Sequence, residues 1–188
     1  MPNWCNNGIT LRHADPAMID RAQHAESILM EFIPTPQELV DTMAGSFGDT
    51  DKQRELEAKE QSNLAKYGFK NWYDWNVANW GTKWDFSLEN VDRVDANTLT
   101  AAFDSAWAPP IDAYIKLCAL GFEIEAMYYE PGMAFVGKFV GDEHGFDDDY
   151  IEYSGETSAT VRDVIGAELD DYFGISAEME QYEEEEAE

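Results

Sequence analysis

The chain has 188 residues, of which 39 are Asp or Glu and 12 are Lys or Arg, so its formal net charge is -27. This balance argues against a nucleic-acid binder with basic patches and against an anionic membrane surface as partner. A protein needs clustered cations to bind either nucleic acid or an anionic membrane. Aromatic residues make up 13% of the chain, which is enough for a hydrophobic core and argues against disorder.

Hydrophobic periodicity and turn residues divide the chain into helices and strands. In chain order we predict a strand at 7–13, a helix at 16–26, a strand at 27–33, a helix at 36–43, a loop at 44–50, helices at 51–66 and 71–80, a strand at 82–88, a polar connection at 90–97, a strand at 98–106, a helix at 109–120, strands at 122–129, 134–140 and 150–153, and a helix at 157–173.

Individual residues support several of these boundaries. Asp15 followed by Pro16 is typical of a helix start, and Gly81 and Gly174 stand where helices end. The turn at 130–132 joins two alternating segments and predicts an antiparallel hairpin.

Together these elements predict an α+β fold with a mainly antiparallel sheet, helices packed on it and ferredoxin-like units. We expect a single domain over 1–176, followed by an acidic tail at 177–188. Within the domain, the core covers mainly 1–34 and 82–153, with a helical insert at 35–81 and a C-terminal helix at 157–173.

Negative charge is concentrated near the C-terminus. Residues 142–188 contain 18 acidic side chains and one basic side chain, Arg162. Seven of the last eleven residues are glutamates, so we expect the chain to be solvated and mobile beyond about Ser176. A second acidic surface is predicted on folded structure, formed by Asp142, Glu143, Asp147, Asp148, Asp149 and Glu152.

Several short blocks resemble the YubB-like family of phage- and plasmid-borne proteins. They are Pro2-Asn3-Trp4-Cys5-Asn6-Asn7, Ile33-Pro34-Thr35-Pro36, Asn79-Trp80-Gly81-Thr82-Lys83-Trp84-Asp85, Ala106-Trp107-Ala108-Pro109-Pro110 and Tyr129-Glu130-Pro131-Gly132. The resemblance spans roughly 2–141 and implies a ferredoxin-like domain, a mobile-genetic-element origin and a cytoplasmic setting. It implies no biochemical activity.

Tryptophans and one lysine form a candidate binding site. Four indoles lie between Trp72 and Trp84, and they either build a core or stack on a ligand. Lys83 either pairs with a nearby acid or binds a phosphate or carboxylate, and strand alternation would put it on the face opposite Trp84. The candidate binding residues are Trp80, Lys83, Trp84, Asp85, Trp107 and Glu130.

Catalytic and metal-binding patterns are weak. The three histidines lack ligand spacing, and the acidic segment around His144 lacks the full calcium-loop pattern. Glu123 and Glu125 share a strand face, but acidic pairs arise easily by chance in such a chain. Cys5 and Cys118 are 113 positions apart and form no redox or zinc motif. We therefore expect no enzyme activity, no cofactor and no metal.

Two functional hypotheses follow. The first is an acidic interaction protein of a mobile genetic element, a nucleic-acid mimic that inhibits a host DNA- or RNA-binding or defence protein through that protein's basic surface. The alternative is a binder or sponge for a small, nucleotide-like anion, using the tryptophans and Lys83. In either case we expect a cytoplasmic protein that contacts neither nucleic acid nor membrane directly.

Overall fold

Six antiparallel strands form one sheet within the residues that the computed structural model describes, which are 3–48 and 50–187. The strands are β1 (Trp4–His13), β2 (Glu89–Asp95), β3 (Thr98–Ala106), β4 (Phe122–Glu130), β5 (Phe135–Asp142) and β6 (Gly145–Glu152). Their order across the sheet is β2-β3-β1-β4-β5-β6, so β2 and β6 are the edges.

Nine helices accompany this sheet in the same described residues. They are α1 (Pro16–His24), α2 (Ile28–Phe32), α3 (Gln37–Val40), α4 (Asp51–Tyr67), α5 (Trp72–Trp80), α6 (Ile111–Ala119), α7 (Val161–Ile165), α8 (Ala167–Phe173) and α9 (Ile175–Ala187). Within the described ranges, no helix has both the length and the apolar composition that a membrane crossing requires.

The hydrophobic core covers one face of the sheet. Alternate residues of β1 and β4, such as Leu11 and Ile124, pack there against Ile19 of α1 and Leu117 of α6. On the opposite face, α7, α8 and α9 form a smaller apolar cluster over one end of β4 and β5, around Val136. Tyr172 of α8 also lies over Gly8 of β1, and acidic side chains on the remainder of this second face, such as Glu123 and Asp147, are exposed.

The predicted α+β fold with an antiparallel sheet is confirmed. Several residues predicted to begin or end helices do so in the structure. The side chain of Asp15 accepts a hydrogen bond from Ala17 N at 3.0 Å at the start of α1. Gly81 and Gly174 have φ values of 79° and 71° and end α5 and α8. The region predicted as a helical insert, 35–81, contains α3, α4 and α5.

The predicted strand at 27–33 is wrong, because this segment contains the helix α2. The two carboxylate oxygens of Asp85 accept hydrogen bonds from the Leu29 and Met30 backbone N–H groups, at 2.9 and 2.7 Å. These are N–H groups that a first helical turn leaves free, so a distant side chain stabilises the helix.

The predicted strand at 82–88 is also wrong, and the strand β2 lies instead where a polar connection was predicted. Phe86 is buried, but its N–H donates to the Asp85 carboxylate and its carbonyl accepts from Ile28 N. The segment therefore has backbone partners outside the sheet. β2 is an exposed edge strand, and for this reason its sequence is polar.

The predicted helix at 157–173 is split into α7 and α8 at Gly166, whose φ of 85° and ψ of 155° are not helical. Beyond it, 175–187 form helix α9, which the sequence did not predict, and the mobility expected of this acidic segment stays a prediction. The carboxylate of Glu183 on α9 accepts hydrogen bonds from the Ser158 N and Oγ atoms at 2.9 and 2.7 Å. Pro2, Asp49 and Glu188, which fall in the first resemblance block, the predicted loop and the tail, lie outside the described residues.

Candidate functional site

The uncovered part of the second sheet face carries a surplus of negative charge. Residues directly opposite each other in antiparallel strands share a face, so the strand register identifies its members. We call this surface the anionic face and define it by Glu89, Asp92, Asp104, Glu123, Glu125, Asp147 and Asp149, together with the cations Arg12 and Lys138.

Both cations of the anionic face are already paired with acids. Arg12 Nη1 lies 2.5 Å from Glu125 Oε1, and Lys138 Nζ lies 2.8 Å from Glu168 Oε1 on α8. Glu123, Asp147 and Asp149 have no cation within 4.0 Å among the residues the structure describes. These three carboxylates of the face are therefore exposed to solvent without a neighbouring cation.

A groove of about 650 Å³ crosses one end of the anionic face. Arg12, Glu123, Glu125 and Asp147 line it, together with His144 from the turn between β5 and β6. The groove joins the central strands to the acidic edge strand. Across the described ranges, no group of three or more potential metal-ligating side chains converges.

The six residues of the predicted acidic surface separate into three groups. Asp147 and Asp149 of β6 lie on the anionic face, where they are paired across from Val140 and Lys138. Asp142 accepts hydrogen bonds from His144 N and Gly145 N, so its carboxylate shapes the turn, and Glu143 is its exposed neighbour.

Asp148 and Glu152 alternate to the other side of β6. Asp148 accepts a hydrogen bond from the Tyr128 hydroxyl at 2.8 Å, and burial raises the pKa of its carboxyl group. Glu152 accepts a hydrogen bond from the Tyr150 hydroxyl at 3.2 Å. The strand β6 therefore directs Asp147 and Asp149 to the anionic face, and Asp148 and Glu152 to the opposite face of the sheet.

A tryptophan cluster lies at the end of β1 and β3, which we define as Trp4, Trp84, Trp107 and Lys83. Its three indoles are 41–44% exposed, and the Trp4 and Trp84 ring centroids are 5.9 Å apart. The Lys83 Nζ atom lies 3.8 Å from the Trp84 ring centroid and 3.9 Å from the Trp107 ring centroid. Lys83 and Trp84 are therefore in contact rather than on opposite faces of a strand.

Three of the predicted binding residues make contacts that stabilise the fold. Trp80 is 2% exposed and belongs to the core, and its indole N–H donates to the Ile33 carbonyl at 3.0 Å. Asp85 stabilises the start of α2, as described above. Glu130 is buried, and its carboxylate accepts from Gly132 N at 2.9 Å and Met133 N at 2.6 Å, so it holds the turn after β4.

Trp4 and most of the anionic face were not predicted as site residues. Strand alternation predicts that Glu123 and Glu125 share a face, and the register agrees with this. The same alternation places Asp104 on its face of β3, so strand periodicity was the available signal. Glu89 and Asp92 gave no such signal, because β2 has an irregular register against β3.

Both cysteines are free and buried, on β1 and α6. Burial raises the pKa of the Cys5 thiol to about 12 and that of Cys118 to about 11. The thiolate is the nucleophile, so neither side chain is suited to covalent catalysis near neutral pH.

We expect both thiols to react with a disulfide reagent at about pH 8 at least about a hundredfold more slowly in the folded protein than in urea, because burial suppresses the thiolate. Spectrophotometric thiol titration measures both rates. One thiol equivalent that reacts as fast in the folded chain as in the unfolded chain would contradict this placement.

An antiparallel sheet with helices on its faces is an α+β fold, and comparison with known proteins narrows this to a ferredoxin-like class. A family model described as the ferredoxin-like domain in Api92-like protein matches residues 79–187. Because this match covers more than half of the chain, the chain belongs to that family. The ferredoxin-like domain that the sequence predicts is thereby confirmed.

One solved structure supports the same fold. The chain is similar to the crystal structure of protein api92 from Yersinia pseudotuberculosis, with 13% sequence identity and a TM-score of 0.50. The alignment covers 83% of this chain and 99% of that one. At this identity the likeness shows the fold alone. No curated protein sequence matches the chain.

Proposed function

We propose that the protein is a non-enzymatic interaction protein whose anionic face binds the basic surface of a nucleic-acid-binding protein. In this proposal the chain is carried by a phage or plasmid, as its resemblance to the YubB-like family implies. It acts in the host cytoplasm as a nucleic-acid mimic and inhibits a host DNA- or RNA-binding or defence protein.

The observation that carries the proposal is the surplus of seven carboxylates over two already paired cations on the described part of the anionic face. Neighbouring strands lie about 4.8 Å apart, so the sheet holds these charges in rows. Duplex DNA also presents closely spaced charges, about one per 1.7 Å of axis. A basic groove that binds the phosphates of DNA would therefore bind these carboxylates in their place.

Solubility and protection of the sheet edge are the simpler explanations for these acids. Charged side chains on an edge strand do prevent edge-to-edge pairing, which accounts for Asp147 and Asp149 on β6. It does not account for Glu123 and Asp104, which lie on the inner strands β4 and β3. The charge of the anionic face extends beyond what the edge requires.

The alternative function, a binder or sponge for a nucleotide-like anion, would use Lys83 and its two indoles. It is less favoured on two grounds. The ammonium group already lies between the Trp84 and Trp107 rings. The net charge of -27 also repels small anions from the surface.

Competition with DNA tests the proposal directly. Purified basic DNA-binding proteins, each loaded with a fluorescent duplex, are titrated with this protein, and anisotropy reports release of the duplex. We expect release from at least one of them. The variant Glu123→Gln/Asp147→Asn/Asp149→Asn should compete about tenfold or more weakly, because three unpaired charges of the face are removed.

A matched control removes three charges elsewhere. The variant Glu180→Gln/Glu184→Gln/Glu186→Gln carries the same charge change on α9 and should compete within about threefold of the wild type, because screening weakens distant charges. Equal loss in both triple variants would mean that only net charge matters. That result, or no release of DNA from any protein tested, would overturn the proposed function.

A further inference from the structure

The tryptophan cluster has the geometry of an aromatic cage that is already filled. Two indole rings face one ammonium group, with the Lys83 Nζ atom 3.8 and 3.9 Å from their centroids. Trp84 and Trp107 remain 41% and 44% exposed, so solvent and other molecules reach both rings. Indole faces attract cations through their negative electrostatic potential, and aromatic cages of this kind recognise ammonium groups.

Hydrogen bonds that do not involve the Lys83 side chain hold Trp107, one of the two indoles, in place. Trp107 has a φ of 71°, an unfavourable left-handed conformation for a bulky side chain. Its N–H donates to the Asn3 carbonyl at 2.9 Å. Nearby, Thr82 Oγ1 donates to the Ala106 carbonyl at 3.2 Å and Ser105 Oγ donates to the Ala108 carbonyl at 2.7 Å. The fold thus fixes the Trp107 backbone independently of the lysine side chain.

The cage borders the anionic face. Trp4 packs on Trp84. Trp4 also lies two residues before Asn6 on β1, so the side chains of Trp4 and Asn6 share one face of the sheet. The Asn6 amide donates to the Asp104 carboxylate at 2.7 Å, and Asp104 belongs to the anionic face. A positively charged partner lying along that face would therefore bring its own cations to the tryptophans.

We propose that Trp84 and Trp107 form a binding site for a lysine or arginine side chain of a basic partner, and that Lys83 fills this site in the free protein. The nature of the partner rests on the proposed function, while the affinity of the cage for a cation does not. Lys83 shows which chemical group fits between the rings. It also weakens binding, because an incoming cation must first displace it.

Tetramethylammonium is a suitable probe, because it carries one charge and cannot donate hydrogen bonds. The indole N–H resonances of Trp84 and Trp107 are followed by NMR during titration, with sodium chloride as the ionic-strength control. We expect Lys83→Ala to bind the probe about tenfold or more tightly than the wild type, since no internal cation competes. Lys83→Arg keeps a cation in the cage and should bind the probe as weakly as the wild type.

The double variant Lys83→Ala/Trp107→Ala should lose the gain in affinity. The proposal would be overturned if Lys83→Ala bound tetramethylammonium no more tightly than the wild type. This includes the case in which the Trp84 and Trp107 rings close on each other in the variant. Adenosine monophosphate is titrated in parallel. If it binds the wild type and Lys83→Ala abolishes that binding, the cluster is an anion site and the cage proposal is wrong. The tetramethylammonium and adenosine monophosphate titrations leave the DNA competition experiment unaffected, because that experiment uses no variant of the tryptophan cluster.

Discussion

Trp80→Ala is expected to lower the free energy of unfolding by about 3–5 kcal/mol, which is a large share of the 5–15 kcal/mol typical of a domain. The indole is 2% exposed and fills space in the main core beside α6. Its removal leaves a cavity and deprives the Ile33 carbonyl of its indole N–H donor. Urea unfolding followed by far-ultraviolet circular dichroism measures the loss without depending on tryptophan fluorescence.

Trp107→Ala is the matched control, because the same change is made at an indole that is 44% exposed. We expect it to change stability by about 1 kcal/mol or less. If Trp80→Ala does not fold, Trp80→Phe keeps an aromatic ring, loses the hydrogen bond and should cost about 1–3 kcal/mol. Equal effects at positions 80 and 107 would contradict the division between a core tryptophan and surface tryptophans.

Gly137→Ala is expected to destabilise the protein by about 2–3 kcal/mol, because it overfills the space between β5, Tyr128 and β6. A Cβ atom at position 137 would overlap the Tyr128 hydroxyl and ring and would lie 2.5 Å from the Asp149 carbonyl oxygen. The substitution should also loosen β6 and weaken competition with DNA, since Asp147 and Asp149 lie on that strand.

Gly145→Ala provides the comparison at the other end of the hairpin. A Cβ atom at position 145 would meet nothing within 4 Å, so we expect stability to change by about 0.5 kcal/mol or less. Urea unfolding and the DNA competition assay are applied to both variants. Gly137→Ala with the stability of the wild type would mean that Tyr128 and β6 are packed less closely than described.

Local signals in the sequence predicted the elements whose ends depend on local chemistry. Asp15 before Pro16 and glycines at 81 and 174 act within one helical turn, so they could be recognised without the fold. The helix α2 could not be recognised in this way. Its first turn is stabilised by the carboxylate of Asp85, which lies 56 positions from Leu29 in the chain.

The candidate site shows the same division between local and distant information. The acids at 142–152 are evident from composition, but the pairing of β5 with β6 decides which of them share a face. Asp104 and Arg12 join that face through strand pairs about a hundred positions apart. A strand at 82–88 would place Lys83 on the face opposite Trp84. In the absence of a strand at 82–88, its ammonium group lies over the Trp84 ring.

The dependence of partner binding on salt tests the central claim, that fixed carboxylates of the anionic face bind a basic protein. For a protein that releases its DNA in the competition assay, direct binding is measured by calorimetry at about 50 and about 300 mM sodium chloride. We expect the affinity to fall by about tenfold or more, and the triple variant of the face to show a smaller fall. Affinity that is the same at both concentrations would show that the carboxylates do not drive binding.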